Sequence, residues 1–124
     1  MNLGFMKKFS SGDPTNFVEL INNGTKIHTV RLAQWRVGMK IHFATGVRTK
    51  QYNCFKIGVC TGIQKIVIKN RRNKYPVVII DNRPLSVDEI ETFMKNDGIN
   101  LDVLKSYFGS SFSGFIIHWT NLRY

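Results

Sequence analysis

Between Phe17 and Ile80 the apolar pattern of this chain changes period once, at Gly24. Before it, Phe17, Val18 and Ile21 recur at helical spacing; after it, Ile27, Thr29 and Val30 open a long tract patterned as strands. Helical spacing returns only beyond Pro84. A chain that places one short helix ahead of most of its strands and two more after them does not build the βαβ units of a parallel doubly wound sheet. The pattern predicts a mixed α/β protein of the α+β type, with one early and two late helices.

Leu3 to Phe9 reads as an opening strand. Asp13 followed by Pro14 reads as an N-cap and first helical position, predicting a helix through Asn23. Gly24 can take the left-handed conformation that ends it. Met39 to Ala44 alternates as a half-buried strand with His42 on the polar side, and Phe55–Val59, Ile63–Ile68 and Tyr75–Ile80 are further strands. Ser86 and Glu89 form a capping box ahead of Val87, Ile90, Phe93 and Met94. A last helix presents Leu101, Leu104, Tyr107 and Phe108 inward and stops at Gly109. Phe115 to Thr120 is apolar on both faces, the mark of a central or closing strand. With 124 residues and no linker or repeat, residues 1–124 form one domain.

Charge is segregated. The 61 residues from Leu20 to Ile80 hold twelve Lys or Arg and no acid, whereas six of the eight acids fall between Asp81 and Asp102. A one-signed field of this kind attracts polyanions, which makes RNA, single-stranded nucleic acid or a nucleotide the expected partner. Arg48, Lys50 and Tyr52 interleave cations with an aromatic ring as a stacking and phosphate-contact edge does. Lys69, Arg71, Arg72 and Lys74 crowd one turn, where phosphate would relieve their mutual repulsion. Cys54 and Cys60 make no disulfide framework, and with His42 they match no compact zinc pattern, so neither metal nor cofactor is expected. No dinucleotide or Walker A motif is present. The first residues lack an apolar run suited to a signal peptide, and no stretch approaches a membrane span; the expected compartment is the cytoplasm.

The junction Asn23–Arg31 concentrates the chemistry. Lys26, His28, Thr29 and Arg31 follow Gly24 within seven residues. Amide hydrolysis by a hydroxyl requires a neighbouring base. Thr29 supplies the hydroxyl, and Lys26 becomes a base if burial beside Arg31 lowers its pKa. A regular strand puts Lys26 and His28 on one face and Thr29 and Arg31 on the other. Lys26 and Thr29 therefore converge only if the strand starts after Lys26 or carries a bulge. The same residues also suit a strand filler (Thr29), a cation at a barrel mouth (Lys26), a salt bridge to a late acid (Arg31) and a rim residue, hydrogen-bonding neighbour or alternative base (His28). Trp35 is either a core plug or a stacking platform.

The spacing Gly24-x-Lys26-x-x-Thr29-x-Arg31 resembles the G-x-K-x-x-[E/T]-x-R signature of ASCH domains, a branch of the PUA-like small β-barrels, which implies a curled barrel of five or six strands. Trp35 to Gly38, the two late helical segments and the closing apolar strand extend the likeness over about Asn16 to Thr120. The chain resembles the small bacterial N4-acetylcytidine amidohydrolases, which carry threonine in the motif, more closely than the members with glutamate there. That resemblance implies catalytic roles for Lys26 and Thr29 together with a carboxylate just before the second late helix. Asp97 falls at that position, as aspartate in place of glutamate; it also suits a turn cap before Asn100. Two functions stay open. One is a recognition domain that binds RNA or a modified nucleoside through a basic cleft of Lys26, His28, Arg31 and Trp35, extended by the basic loops. The other is a metal-independent amidohydrolase acting on an acylated nucleoside. A third class, a subunit that docks another protein, finds no large apolar surface stripe to support it.

Overall fold

The computed structural model describes residues 1–124. Eight strands and three helices follow one another as β1 (Asn2–Gly4), α1 (Phe17–Asn22), β2 (His28–Arg31), β3 (Lys40–Thr45), β4 (Asn53–Val59), β5 (Gly62–Lys69), β6 (Val77–Ile80), β7 (Arg83–Pro84), α2 (Val87–Asp97), α3 (Leu101–Tyr107) and β8 (Ser111–His118). The α+β class and the one-early, two-late placement of helices match the sequence reading. No helix is long and apolar enough to cross a membrane.

The strands do not close into the expected barrel. They form a three-stranded sheet, β1-β3-β4, and a five-stranded sheet, β2-β8-β5-β6-β7. The chain passes between them at Cys60 and Thr61, where the Cys60 N–H bonds Met39 O, just before β3 of one sheet, and the Thr61 N–H bonds His118 O of β8 in the other. The opposite seam, between the edge strands β1 and β2, has no ladder. There the Arg31 guanidinium donates to Gly4 O at 2.6 Å, so a side chain satisfies a carbonyl that a barrel would pair with a strand.

β8 explains why two sheets make one body. Its neighbours Ile116 and Ile117 point to opposite faces. Ile116 packs with Val30, Ile66, Ile80, Phe93 and Leu104, whereas Ile117 packs with Phe5, Ile21, Trp35 and Phe43. The central role expected for this strand holds, although it starts at Ser111 rather than Phe115.

Several boundaries differ from the sequence reading. The opening strand ends at Gly4, because the Thr15 N–H bonds Lys7 O and the Thr15 hydroxyl bonds Met6 O, folding the chain back on itself. Asp13 therefore does not cap α1. Its carboxylate accepts from Ser11, Pro14 bridges to Lys8, and the helix starts only after Asn16, which sits in the left-handed region. The capping box at Ser86 and Glu89 forms as read. Val87 and Tyr107 are exposed rather than inward, at 51% and 58%.

Candidate active site

The two glycine-ended helices aim Lys26 into the open seam. Gly24 takes φ 82° after α1, and Leu20 O accepts from both the Thr25 and Lys26 N–H groups. The Ile27 N–H then bonds Asn96 O, tying the junction to the end of α2. That helix ends on Gly98 at φ 75°: the Gly98 N–H bonds Lys95 O and the Ile99 N–H bonds Met94 O, the paired bonds of a Schellman stop. Asp97 O is left without a helical partner, and the Lys26 ammonium donates to it at 2.6 Å. A cation on the last carbonyls of a helix is favoured by the aligned peptide dipoles.

Gly98 also sits where a Cβ would come within 3.1 Å of Leu20 Cδ1. We expect Gly98→Ala to lose about 1–2 kcal/mol, since left-handed backbone strains an L-residue by that amount. Urea unfolding of the variant beside the wild type measures it.

β2 starts at His28, so Lys26 lies before the strand and is not bound by its alternation. The geometric condition set by the sequence is met. Lys26, Thr29, Arg31 and Asp97 all line one cavity of about 220 Å³, walled by Phe5, Phe17, Ile99, Val103, Tyr107 and Phe108 among others. Lys26 is 1% exposed, and its ammonium lies 4.6 Å from the Phe17 ring centroid and 3.6 Å from Asp97 Oδ2. Burial pulls its pKa down from 10.5 to about 8. Asp97 opposes that shift, and the Arg31 charge adds to it.

Thr29 and Arg31 share a strand face, and Arg31 Nη1 donates to Thr29 Oγ1 at 2.7 Å. The same nitrogen reaches Val30 O at 2.9 Å, so Arg31 is held by three oxygen atoms and by no acid. The salt bridge to a late acid, weighed from the sequence, is absent. The Thr29 hydroxyl keeps its proton free to donate while its oxygen faces a cation. Burial lowers the Arg31 pKa, with Tyr107 and Asp97 opposing.

His28 is not at the rim. It is fully buried, stacks on Phe93 with centroids 5.2 Å apart, and stands behind Asp97 with Nδ1 2.9 Å from Oδ1. It does not line the cavity. Trp35 is 3% exposed and packs in the core with Ile41, Phe43 and Ile117, which removes it from any stacking role. Asp97 caps nothing: Asn100 caps α3 by accepting from the Val103 N–H.

The basic loops do not extend this cavity. Arg48, Lys50 and Tyr52 are exposed on the β3–β4 connection, where the Tyr52 hydroxyl bonds Asn2. Lys69 closes β5, and Arg71, Arg72 and Lys74 are exposed on the β5–β6 connection. Arg71 and Arg72 share a shallow groove with Lys105 of α3 instead. The one basic cleft expected from sequence is thus not formed, because none of these side chains lines the cavity.

Sequence reasoning missed the aromatic walls of the cavity and Tyr124, whose hydroxyl contacts His28 Nε2. Phe17 carried a signal, a large apolar residue next to the junction in a short helix. Tyr124 carried none. No group of three or more His, Cys, Asp or Glu is placed to hold a metal ion. Comparison with protein-family models, curated proteins and solved structures finds no match.

Proposed function

We propose that the chain is an ASCH-like, PUA-like domain that hydrolyses the exocyclic amide of an acylated nucleoside such as N4-acetylcytidine. One observation carries this reading: a buried amine with a pKa near 8 and a hydroxyl polarised by a guanidinium open on the same apolar-walled cavity. At pH 7 roughly a tenth of such a lysine is neutral, enough to serve as a base.

In the proposed reaction the neutral Lys26 amine takes the Thr29 proton as Oγ1 bonds the acyl carbon. Arg31 favours the developing alkoxide through the hydrogen bond it already makes. The carbon–nitrogen bond then breaks and the leaving amine takes the proton from the Lys26 ammonium, giving the free nucleoside and an acyl ester on Thr29. Water attacks that ester and loses its proton to Lys26; the bond from the acyl carbon to Thr29 Oγ1 breaks, the Lys26 ammonium returns the proton to Oγ1, and the carboxylic acid leaves.

The cavity volume suits a single base with a short acyl group, being smaller than the ~300–1,000 Å³ of drug-sized sites. Around its mouth a wider groove, sharing Met6, Phe9, Val103 and Tyr107, carries Asp13, Asp102, Asn100 and three serines, with no Lys or Arg. Sugar hydroxyls fit such a lining, and a phosphate is repelled by it. The test is product formation: purified protein incubated with a panel of N4-acylcytidines should release cytidine and the matching acid. No product from any member of the panel overturns the hydrolase.

A recognition reading keeps one observation of its own, the exposed cations Arg71, Arg72 and Lys74 with Lys105 nearby. If these contact RNA phosphates, changing Arg71 and Arg72 to Ala weakens binding to unrelated RNAs equally and lowers the slope of log K against log salt by about two. Filter binding at several salt concentrations measures this. Affinity independent of salt removes the reading.

A further inference from the structure

Behind the cavity lies a chain of buried polar groups that the reaction above does not use. Asn96 Nδ2 donates to the Tyr124 hydroxyl oxygen at 3.0 Å. The phenol, pushed up to about 12 chiefly by burial, stays protonated and donates to His28 Nε2. His28 Nδ1–H then donates to Asp97 Oδ1 at 2.9 Å. Every ring nitrogen has a partner, and the ring is clamped between Phe93 and Tyr124. Asp97 uses its remaining oxygen, Oδ2, toward Lys26, but at 3.6 Å, beyond a hydrogen bond; the short bond from Lys26 goes to the backbone carbonyl.

We propose that His28, braced by Tyr124, is a positioning residue that holds the Asp97 carboxylate back from a full contact ion pair with Lys26. A buried carboxylate and ammonium attract strongly at low dielectric. An unrestrained Asp97 would turn both oxygens to the amine and fix its proton there. The bond from His28 competes for one oxygen and sets the rotamer of the other. Lys26 is then steadied by a neutral carbonyl and a carboxylate at arm's length, which leaves it able to give up its proton. Aspartate rather than the longer glutamate fits this arrangement, because a short acid shared with His28 does not reach the amine fully.

The groups that face this chain are few. Lys26 is faced by Asp97 of α2 and Arg31 of β2, and Arg31 in turn by Tyr107 of α3. His28 is faced by Asp97, Tyr124 and His118 of β8, whose ring lies 5.4 Å away and whose pKa burial pulls down to about 3. None of the others competes for Asp97 Oδ1.

The inference rests on the hydrolase reading for its purpose, but its test does not need turnover. The Lys26 amine is titrated by NMR of ¹³C-labelled lysine in wild type, His28→Leu, His28→Asn and Tyr124→Phe, with amide spectra confirming the fold. In His28→Leu the Lys26 pKa should rise by about one unit or more, a tenfold loss of neutral amine at fixed pH. His28→Asn, which can keep a donor near the Nδ1 position, should stay near the wild-type value. Tyr124→Phe removes the brace and should move Lys26 in the same direction by less. If the wild type also turns over acylcytidine, the alkaline shift should appear in the pH profile of kcat, with KM unchanged. A Lys26 pKa that stays put in both His28→Leu and Tyr124→Phe overturns the inference; should His28→Leu not fold, an unmoved value in Tyr124→Phe alone does so. A shift without any turnover in the wild type keeps the positioning role and removes the hydrolase.

Discussion

Thr29→Val should abolish deacylation of N4-acetylcytidine, lowering kcat by roughly 10³-fold or more, while substrate still binds. Valine keeps the branched shape and strand preference of threonine and deletes only Oγ1. The fold should tolerate it. Arg31 Nη1 loses one of two acceptors but keeps Val30 O at 2.9 Å, and Nη2 keeps Gly4 O, so no buried donor is stranded. We expect a stability loss of about 1 kcal/mol or less, and circular dichroism with urea unfolding separates this from the catalytic effect. Thr29→Ser, which restores the hydroxyl, should recover much of the rate. Turnover surviving in Thr29→Val at more than a tenth of wild type would show that the hydroxyl is not the nucleophile.

Much of this arrangement was legible in the sequence, and the reason is that it depends on local signals. Gly24 and Gly98 announce two left-handed helix ends, and the spacing of Lys26, Thr29 and Arg31 around a strand start is decided within six residues. The capping box at Ser86 and the two-faced apolarity of β8 are equally local. What escaped the sequence is what tertiary contact decides. Nothing about Leu3 to Phe9 reveals that Thr15 will take Met6 O and Lys7 O and so end the strand at Gly4. Nothing in Trp35 distinguishes a core plug from a platform. The open seam could not be read either, since it depends on Arg31 reaching across to Gly4 in place of a strand. His28 shows the limit most clearly. A histidine two residues from a lysine reads equally as a rim group or a hydrogen-bonding neighbour, and only partners 69 and 96 positions away decide for a buried support.

Asp97→Ala should be the most destabilising single change at the site, by about 3–5 kcal/mol at neutral pH. The loss does not measure an attractive pair. It measures what remains: a Lys26 ammonium buried to 1% exposure without its carboxylate, and a His28 Nδ1–H without an acceptor. The dependence on pH gives the prediction its sign. In the wild type the Lys26 pKa is about 8 when folded and near its ordinary 10.5 when unfolded. Between those values the unfolded chain holds more protons than the native one, so Lys26 adds stability as pH rises through that window, and its burial costs most below pH 8. Wild type should accordingly gain on a Lys26→Met variant between about pH 8 and 10.5, the comparison cancelling other groups that titrate alike in both. In Asp97→Ala the attraction that holds the lysine pKa up is gone, so its native pKa falls further and the same gain begins at lower pH. The gap between Asp97→Ala and wild type should therefore be widest near neutrality or below and should narrow before pH 8 is reached. Denaturant unfolding of the three proteins from about pH 6 to 10.5 reads this directly. A gap that stays constant across the range would mean that Asp97 does not hold up the Lys26 pKa, and a wild type that gains nothing on Lys26→Met would mean that this pKa is not lowered, removing the reason for treating the lysine as a base.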